Sequence, residues 1–207
     1  MSIIGKIHNE YVYDRRMSQL STHLAEMIPP QASVLDVGCG DGRIAGLIMQ
    51  KRPDVNIEGI DILVRPQTYI PVMPFDGEKI PHEDASFDVV MFVDVLHHTN
   101  DPLILLREAI RVSRQAIVIK DHTQEGLLAE TTLRLMDYAG NAHHGVILPY
   151  NYWPRSTWME NLAQLNMTIS EWKKDLKLYT PPASWLFDRS LHFVARLVPE
   201  KARAAAA

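Results

Sequence analysis

Cysteine is nearly missing from this chain: among 207 residues Cys39 stands alone. A single thiol closes no internal disulfide, so a core must hold the fold, and a reducing, cytoplasmic location is expected. Charge of one sign is scarce as well. Lys and Arg number 21 against 25 Asp and Glu, a net charge of −4, and that balance excludes the broad basic footprint by which proteins hold nucleic-acid phosphates. No apolar run approaches the ~18–20 residues that span a bilayer, and residues 1–16 lack the apolar block and small-residue cleavage site of a signal peptide. Internal repeats are absent. What remains, 46% hydrophobic and 22% charged residues, is ordinary globular usage and predicts one domain over 1–207 with a full core.

Glycine is the informative residue. In Val34 to Gly42, VLDVGCGDG, apolar residues run into Asp36 and three glycines follow at alternate positions, Gly38, Gly40 and Gly42. This reads as a strand, a tight turn and a helix start, because backbone at positive φ, or backbone touching a ligand, excludes a Cβ. A dinucleotide turn wants its third glycine three residues after the second. Here Arg43 takes that place. A phosphate-cradling P-loop would need Lys after the second glycine, and none follows. Acids beside the turn, Asp36 and Asp41, suit a cationic or polyhydroxyl ligand better than a polyphosphate.

Along the chain, Met17, Leu20, Leu24 and Met27 recur at helical spacing before Pro29-Pro30, which predicts a helix over 11–28. Strands are expected at 33–37, 56–61, 69–72, 87–93 and 116–119, with helices from about 43 and 100 between them. Pro71 marks an edge strand, and 87–93, apolar throughout, a central one. Beyond Asp121 the spacing predicts helices over 125–138 and 156–165 and strands over 167–173 and 191–197. The irregular segment 139–154, with its glycines, paired His and aromatics, reads as a lid or pocket wall. Residues 174–190 read as an aromatic-rich loop.

The turn resembles the glycine-rich first loop of the class I S-adenosylmethionine-dependent methyltransferases. Gly59-Ile60-Asp61-Ile62, Asp76-Gly77, and Ser86 to Val90 with Asp94 to His98 resemble that family's second, third and fourth strand ends, in the family's order within 33–121. The resemblance implies a Rossmann-like, doubly wound α/β sheet of seven strands, mostly parallel with an antiparallel last strand. It also implies S-adenosylmethionine as cofactor and a helix over 11–28 that covers it. Residues 33–121 would be the cofactor half and 122–200 the acceptor half. Asp36, Gly38 and Gly40 would hold the methionine part, Asp61 the ribose, Ile62 and Asp76-Gly77 the adenine, and Asp94 the methionine end again. Cys39 belongs to the same loop; with no base beside it in sequence, its thiol reads as packing rather than as a nucleophile.

Methyl transfer from a sulfonium needs alignment and exclusion of water more than a general base. His98 and His122, directly after the fourth and fifth strands, are the candidate bases. His143, His144, Tyr150, Tyr152 and Trp153 would shape the pocket for a small-molecule acceptor. No metal site is expected, because adjacent His-His pairs project in different directions and no Cys or Glu-x-x-His spacing accompanies them. Two alternatives stand: a cofactor-binding or regulatory module of the same fold without turnover, and a methyltransferase acting on a lipid or quinone at a membrane surface, contacted through Trp185-Leu186-Phe187.

Overall fold

The structure is a computed structural model and describes residues 3–141, 149–188 and 190–200. Seven strands form one sheet in the order β3-β2-β1-β4-β5-β7-β6. Its strands are β1 (Ser33–Val37), β2 (Asn56–Asp61), β3 (Val72–Pro74), β4 (Phe87–Val93), β5 (Ser113–His122), β6 (Met167–Lys173) and β7 (His192–Pro199). The first five run parallel; β7 runs antiparallel to β5 and to β6. This is the expected sheet. β4 is central because its apolar run is buried on both faces, with Val89, Val90, Met91 and Phe92 fully enclosed.

Helices cover both faces. On one, α1 (Ile3–Met27) and α2 (Arg43–Lys51) set Leu20, Leu24, Met27, Ala45 and Ile48 against β1 and β2. On the other, Leu105, Leu106 and Ala109 of α3 (Pro102–Val112) and Trp158 and Leu162 of α5 (Arg155–Gln164) pack on β4, β5 and β7. α3 starts where sequence rules put it: the Asp101 side chain accepts from the Leu103 N–H, and Pro102 opens the first turn. Burying an apolar stripe of each helix, at about 25 cal/mol per Å², is the main stabilising contribution.

Several boundaries differ from expectation, for local reasons. α1 begins at Ile3 rather than at 11, since no proline interrupts the preceding residues. The third strand is Val72–Pro74, not 69–72: the Tyr69 N–H bonds the Asp41 carbonyl instead, and Pro71 lends the sheet only its carbonyl, to the Gly59 N–H. β5 extends to His122 because Lys120, Asp121 and His122, polar as they are, stay buried in the ladder. α4 spans Ala129–Asn141, since Gly126 and Leu128 hold φ of 93° and 60°, outside a right-handed helix. The 174–190 connection carries a short helix, α6 (Ala183–Phe187). Among the described residues no helix is long and apolar enough to cross a membrane.

Candidate active site

Parallel α/β sheets gather ligands at the carboxyl ends of their strands, where the strand order reverses. Here β1 lies beside β2 on one side and β4 on the other, so the reversal falls at the glycine turn. Gly38, Gly40 and Gly42 all have left-handed φ, 73°, 61° and 75°. Their surroundings differ. A Cβ at Gly38 would meet Val95 at 2.7 Å and one at Gly42 would meet Ile70 at 2.4 Å, whereas a Cβ at Gly40 would meet nothing within 4 Å. Two glycines therefore let the turn pack, and the third faces open space. That space is a cleft of ≈ 460 Å³ lined by Tyr13, Gly40, Asp41, Arg65, Pro66 and Gln67.

The acids expected at this rim are arranged around the turn. Asp36, 2% exposed, lies one residue before the end of β1 between Gly59 and Met91, and its Oδ1 has no hydrogen-bond partner. Burial, and then the nearby Asp61 charge, push its pKa up to about 7. Asp61 Oδ2 accepts from the Gly40 N–H at 2.8 Å and Oδ1 from the Leu63 N–H at 2.8 Å, so this carboxylate braces the turn. Ile62 is two-thirds exposed beside it. Asp76 is exposed and caps the backbone of Glu78 and Lys79 through Oδ1, while Gly77, at φ 88°, faces Ile62. The Cys39 thiol packs where a Gly59 side chain would go, 2.4 Å from an added Cβ, and burial pushes its pKa up. A protonated, packed thiol is no nucleophile.

A ligand with an ammonium group and ribose hydroxyls fits these residues. The unpartnered Asp36 Oδ1 wants a cationic donor, each Asp61 oxygen keeps a lone pair for a hydroxyl, and Gly40 leaves room for backbone approach.

Asp94 has a different setting. It ends the turn after β4 at φ 58°, and its Oδ2 takes Arg16 Nη2 of α1 at 2.7 Å while Oδ1 contacts the fully buried Lys120 Nζ. Burial opposes its ionisation, yet Lys120 and then Arg16 outweigh it and hold the carboxyl well below the usual range. Next to it, Asp121 accepts from the Leu96 and His122 N–H groups and binds His97 Nδ1 at 2.6 Å. His97 Nε2 lies 3.3 Å from Asp137 Oδ2, which also accepts the Tyr152 hydroxyl. Burial disfavours a charged His97, but Asp121 and then Asp137 prevail and push its pKa up to about 10. The imidazolium is thus permanent near neutral pH. Arg16, Lys120 and His97 thus face Asp94, Asp121 and Asp137, although burial pulls the Lys120 ammonium below its ordinary range.

Asp94, His97, Asp121 and His122 bring four potential ligand atoms within 4.8 Å of one another, a proximity that adjacent His-His spacing did not suggest. Their facing atoms are engaged with each other and with Lys120 and Arg16.

The two candidate bases separate here. Burial and the His97 charge push His98 down to about 4. His122, 4% exposed, is lowered by burial and then by Lys120, and its ring stands edge-on to His97 at 4.7 Å. Tyr152, expected in a pocket wall, is 6% exposed and stacked on His97 at 5.4 Å, a packed member of the ionic cluster. Trp153 packs edge-on against Trp158 at 4.8 Å. Tyr150 lies half-buried, 4.9 Å from the Arg134 guanidinium. His143 and His144 lie outside the described residues, as does the middle of segment 139–154. Sequence reasoning weighed His97 only as half of an adjacent His-His pair and passed over Lys120, Asp137, Arg16 and His192. The signal for His97 was weak: only the inward side of the short turn Leu96–His98 distinguishes it from its neighbour.

A methyltransferase-domain family model matches residues 8–171. The 27-O-demethylrifamycin SV methyltransferase of Amycolatopsis mediterranei (strain S699) is 33% identical over 112 residues, 47% of this chain and 41% of that protein. Ajmaline N-methyltransferase of Rauvolfia serpentina is 27% identical over 163 residues, 70% of this chain and 56% of that one. The chain thus spans about half the length of these curated relatives. Among solved structures, the plantazolicin methyltransferase BpumL in complex with SAH superposes with a TM-score of 0.63 at 16% identity, covering 93% of this chain and 86% of that one. A family match over most of the chain, on a sheet of this order with an open glycine turn at its reversal, makes this protein a member of the methyltransferase-domain family.

Proposed function

We propose that the protein is an S-adenosylmethionine-dependent methyltransferase acting on oxygen or nitrogen of a small-molecule acceptor. The observation that carries this reading is Gly40, held at positive φ with open space in front of it and braced by Asp61, beside an unpartnered buried Asp36. The relatives named for rifamycin and ajmaline methylation support a small acceptor. We assign the cofactor to residues 33–121 and the acceptor to 122–200 within one domain over 1–207. Asp36 and the backbone of Gly38 to Gly40 would hold the methionine part, Asp61 the ribose, and Ile62, Asp76 and Gly77 the adenine. When bound, the cofactor supplies a methyl group on a sulfonium with a neutral leaving group.

The chain's own residues then have three tasks. Asp94, tied to Lys120 and Arg16, fixes α1 over the rim. Packed His97 and Tyr152 keep water from the β5 side. His122, neutral and next to two carboxylates, accepts a proton from the acceptor. A cytoplasmic location and no nucleic-acid partner agree with one cysteine and net charge −4.

The test is turnover with methyl-labelled S-adenosylmethionine against a panel of phenols and amines. Labelled product supports the proposal. Binding of cofactor without transfer to any acceptor would favour the alternative, a binding or regulatory module. Action on a lipid or quinone at a membrane surface has one observation in its favour, the exposure of Trp185, Leu186, Leu127 and Leu128, and sedimentation with vesicles decides it.

A further inference from the structure

The two ring nitrogens of His97 have different surroundings. Nδ1 meets Asp121 Oδ1 at 2.6 Å, whereas Nε2, buried, lies 3.3 Å from Asp137 Oδ2 without the geometry of a hydrogen bond. Adjacent side chains diverge along a strand, but the short turn Leu96–His98 brings the His97 and His98 rings together, with centroids 4.0 Å apart. His98 Nδ1 is also buried and also lacks a hydrogen-bond partner. One nitrogen of His97, one of His98 and a carboxylate oxygen of Asp137 all come within 4.8 Å of one another. Buried polar atoms are normally satisfied by protein, water or ligand. Two imidazoles and a carboxylate, gathered with such nitrogens among them, are a donor set for a transition-metal ion.

The geometry around this set fits an ion. Ligand atoms about 2.0–2.1 Å from a tetrahedral centre stand ~3.3 Å from one another, the separation found between His97 and Asp137. A direct charge-assisted hydrogen bond would close to about 2.7–2.9 Å. Asp121 holds Nδ1, which fixes the His97 ring and turns Nε2 toward the set; a carboxylate behind a histidine is the usual support of a metal-bound imidazole. Tyr152 donates its hydroxyl to Asp137 Oδ2 and steadies that carboxylate in the same way. His98 is only partly buried and gives the site a side open to solvent. Magnesium and calcium, which take oxygen ligands, match poorly.

We propose that His97 Nε2, a ring nitrogen of His98 and the Asp137 carboxylate bind a zinc-class divalent ion. In the metal-free chain a proton on His97 stands in this place; the ion displaces it to solvent and faces the same carboxylates with one more positive charge. Three protein ligands leave the fourth position of a tetrahedral ion to water or another ligand. The ion ties the turn after β4, which carries both histidines, to α4, which carries Asp137. Neither the glycine turn nor Asp61 takes part, so the inference stands apart from the cofactor reading.

The test titrates zinc chloride by calorimetry into the untagged full chain after treatment with EDTA, and repeats the titration with cobalt chloride to read its visible ligand-field bands. One equivalent of zinc is expected, with cobalt bands of a four-coordinate site and a melting temperature that rises with zinc. His98→Ala, a change at a nitrogen that holds no protein group, should weaken zinc binding by about a hundredfold or more, since loss of a supporting partner alone costs about 10–100-fold. Anomalous scattering at the zinc edge from crystals of the unaltered chain should place the ion about 2.0–2.2 Å from His97 and Asp137. An unaltered chain that binds no zinc overturns the proposal, as does full affinity in a folded His98→Ala variant or an ion located elsewhere. Binding of S-adenosylhomocysteine by the same sample bears on the methyltransferase reading alone.

Discussion

The two sides of the carboxyl edge treat their polar groups in opposite ways. Around β1 and β2, Asp36 keeps an unpartnered oxygen, Gly40 faces empty space, and Asp61 holds the turn by two backbone N–H groups only. Around β5, nearly every charge has a protein partner: Asp121 takes three, Asp94 holds both Arg16 and Lys120, and His97 sits between two carboxylates. Open groups wait for a ligand's donors and acceptors. Closed ones set the geometry once, on folding, and stay fixed whether or not ligand is present. Substitutions in the His97–Asp121–Asp137 cluster should therefore act on stability and those on the β1 side on cofactor affinity.

The largest effect is expected at His97. His97→Ala leaves Asp121 and Asp137 buried without their cation and should cost ~3–5 kcal/mol in denaturant unfolding. Its pH dependence has a definite sign. The folded pKa, about 10, lies above the ordinary 6.5, so the contribution is fully present below pH 6.5 and is lost as pH rises toward 10. An unfolding midpoint that His97→Ala leaves unmoved would mean the cluster is not the scaffold described here.

Tyr152→Phe removes a hydroxyl donated to Asp137 and should destabilise by about 1.5–3 kcal/mol while leaving S-adenosylhomocysteine affinity unchanged. Lost affinity with unchanged stability would put Tyr152 on the ligand side and break the division.

On the open side the expectation reverses. Asp61→Ala should weaken S-adenosylhomocysteine binding by roughly 1–3 kcal/mol and shift the melting temperature less than His97→Ala does. Calorimetry on both variants sharpens the contrast directly.

The smallest effect is a pH dependence at Asp36. With a carboxyl pKa near 7 in the free protein, above its ordinary 3.8, the folded chain retains a proton that the unfolded chain has released, so this residue makes stability fall between about pH 3.8 and 7. Ionised Asp36 pairs better with a cofactor ammonium. Affinity should rise as pH passes about 7, and Asp36→Asn should flatten that rise.

The contrast also accounts for what the sequence disclosed. Glycine spacing and strand-terminal acids are local features, so the turn at Gly38 to Gly42, Asp61 at its strand end and the central β4 were legible, as was a last strand from the alternation in 191–197, whose antiparallel direction came from the family resemblance. The β5 side depends on partners far apart in the chain. Arg16 reaches Asp94 across 78 residues, and Asp121 reaches His97 across 24, contacts that no local pattern encodes. The expected strand stopped at Ile119, yet β5 runs three residues further because Lys120, Asp121 and His122 are buried among partners of the opposite charge. Asp76 illustrates the opposite limit: its spacing suits an adenine contact and a backbone cap equally, and the cap is present.

The central claim, that the open turn is built for S-adenosylmethionine, is tested most directly by calorimetric titration of the full chain with S-adenosylhomocysteine and, separately, with NAD. The account predicts one saturable site for S-adenosylhomocysteine, weakened by Asp61→Ala, and much weaker binding of NAD. NAD bound more tightly than S-adenosylhomocysteine would contradict it.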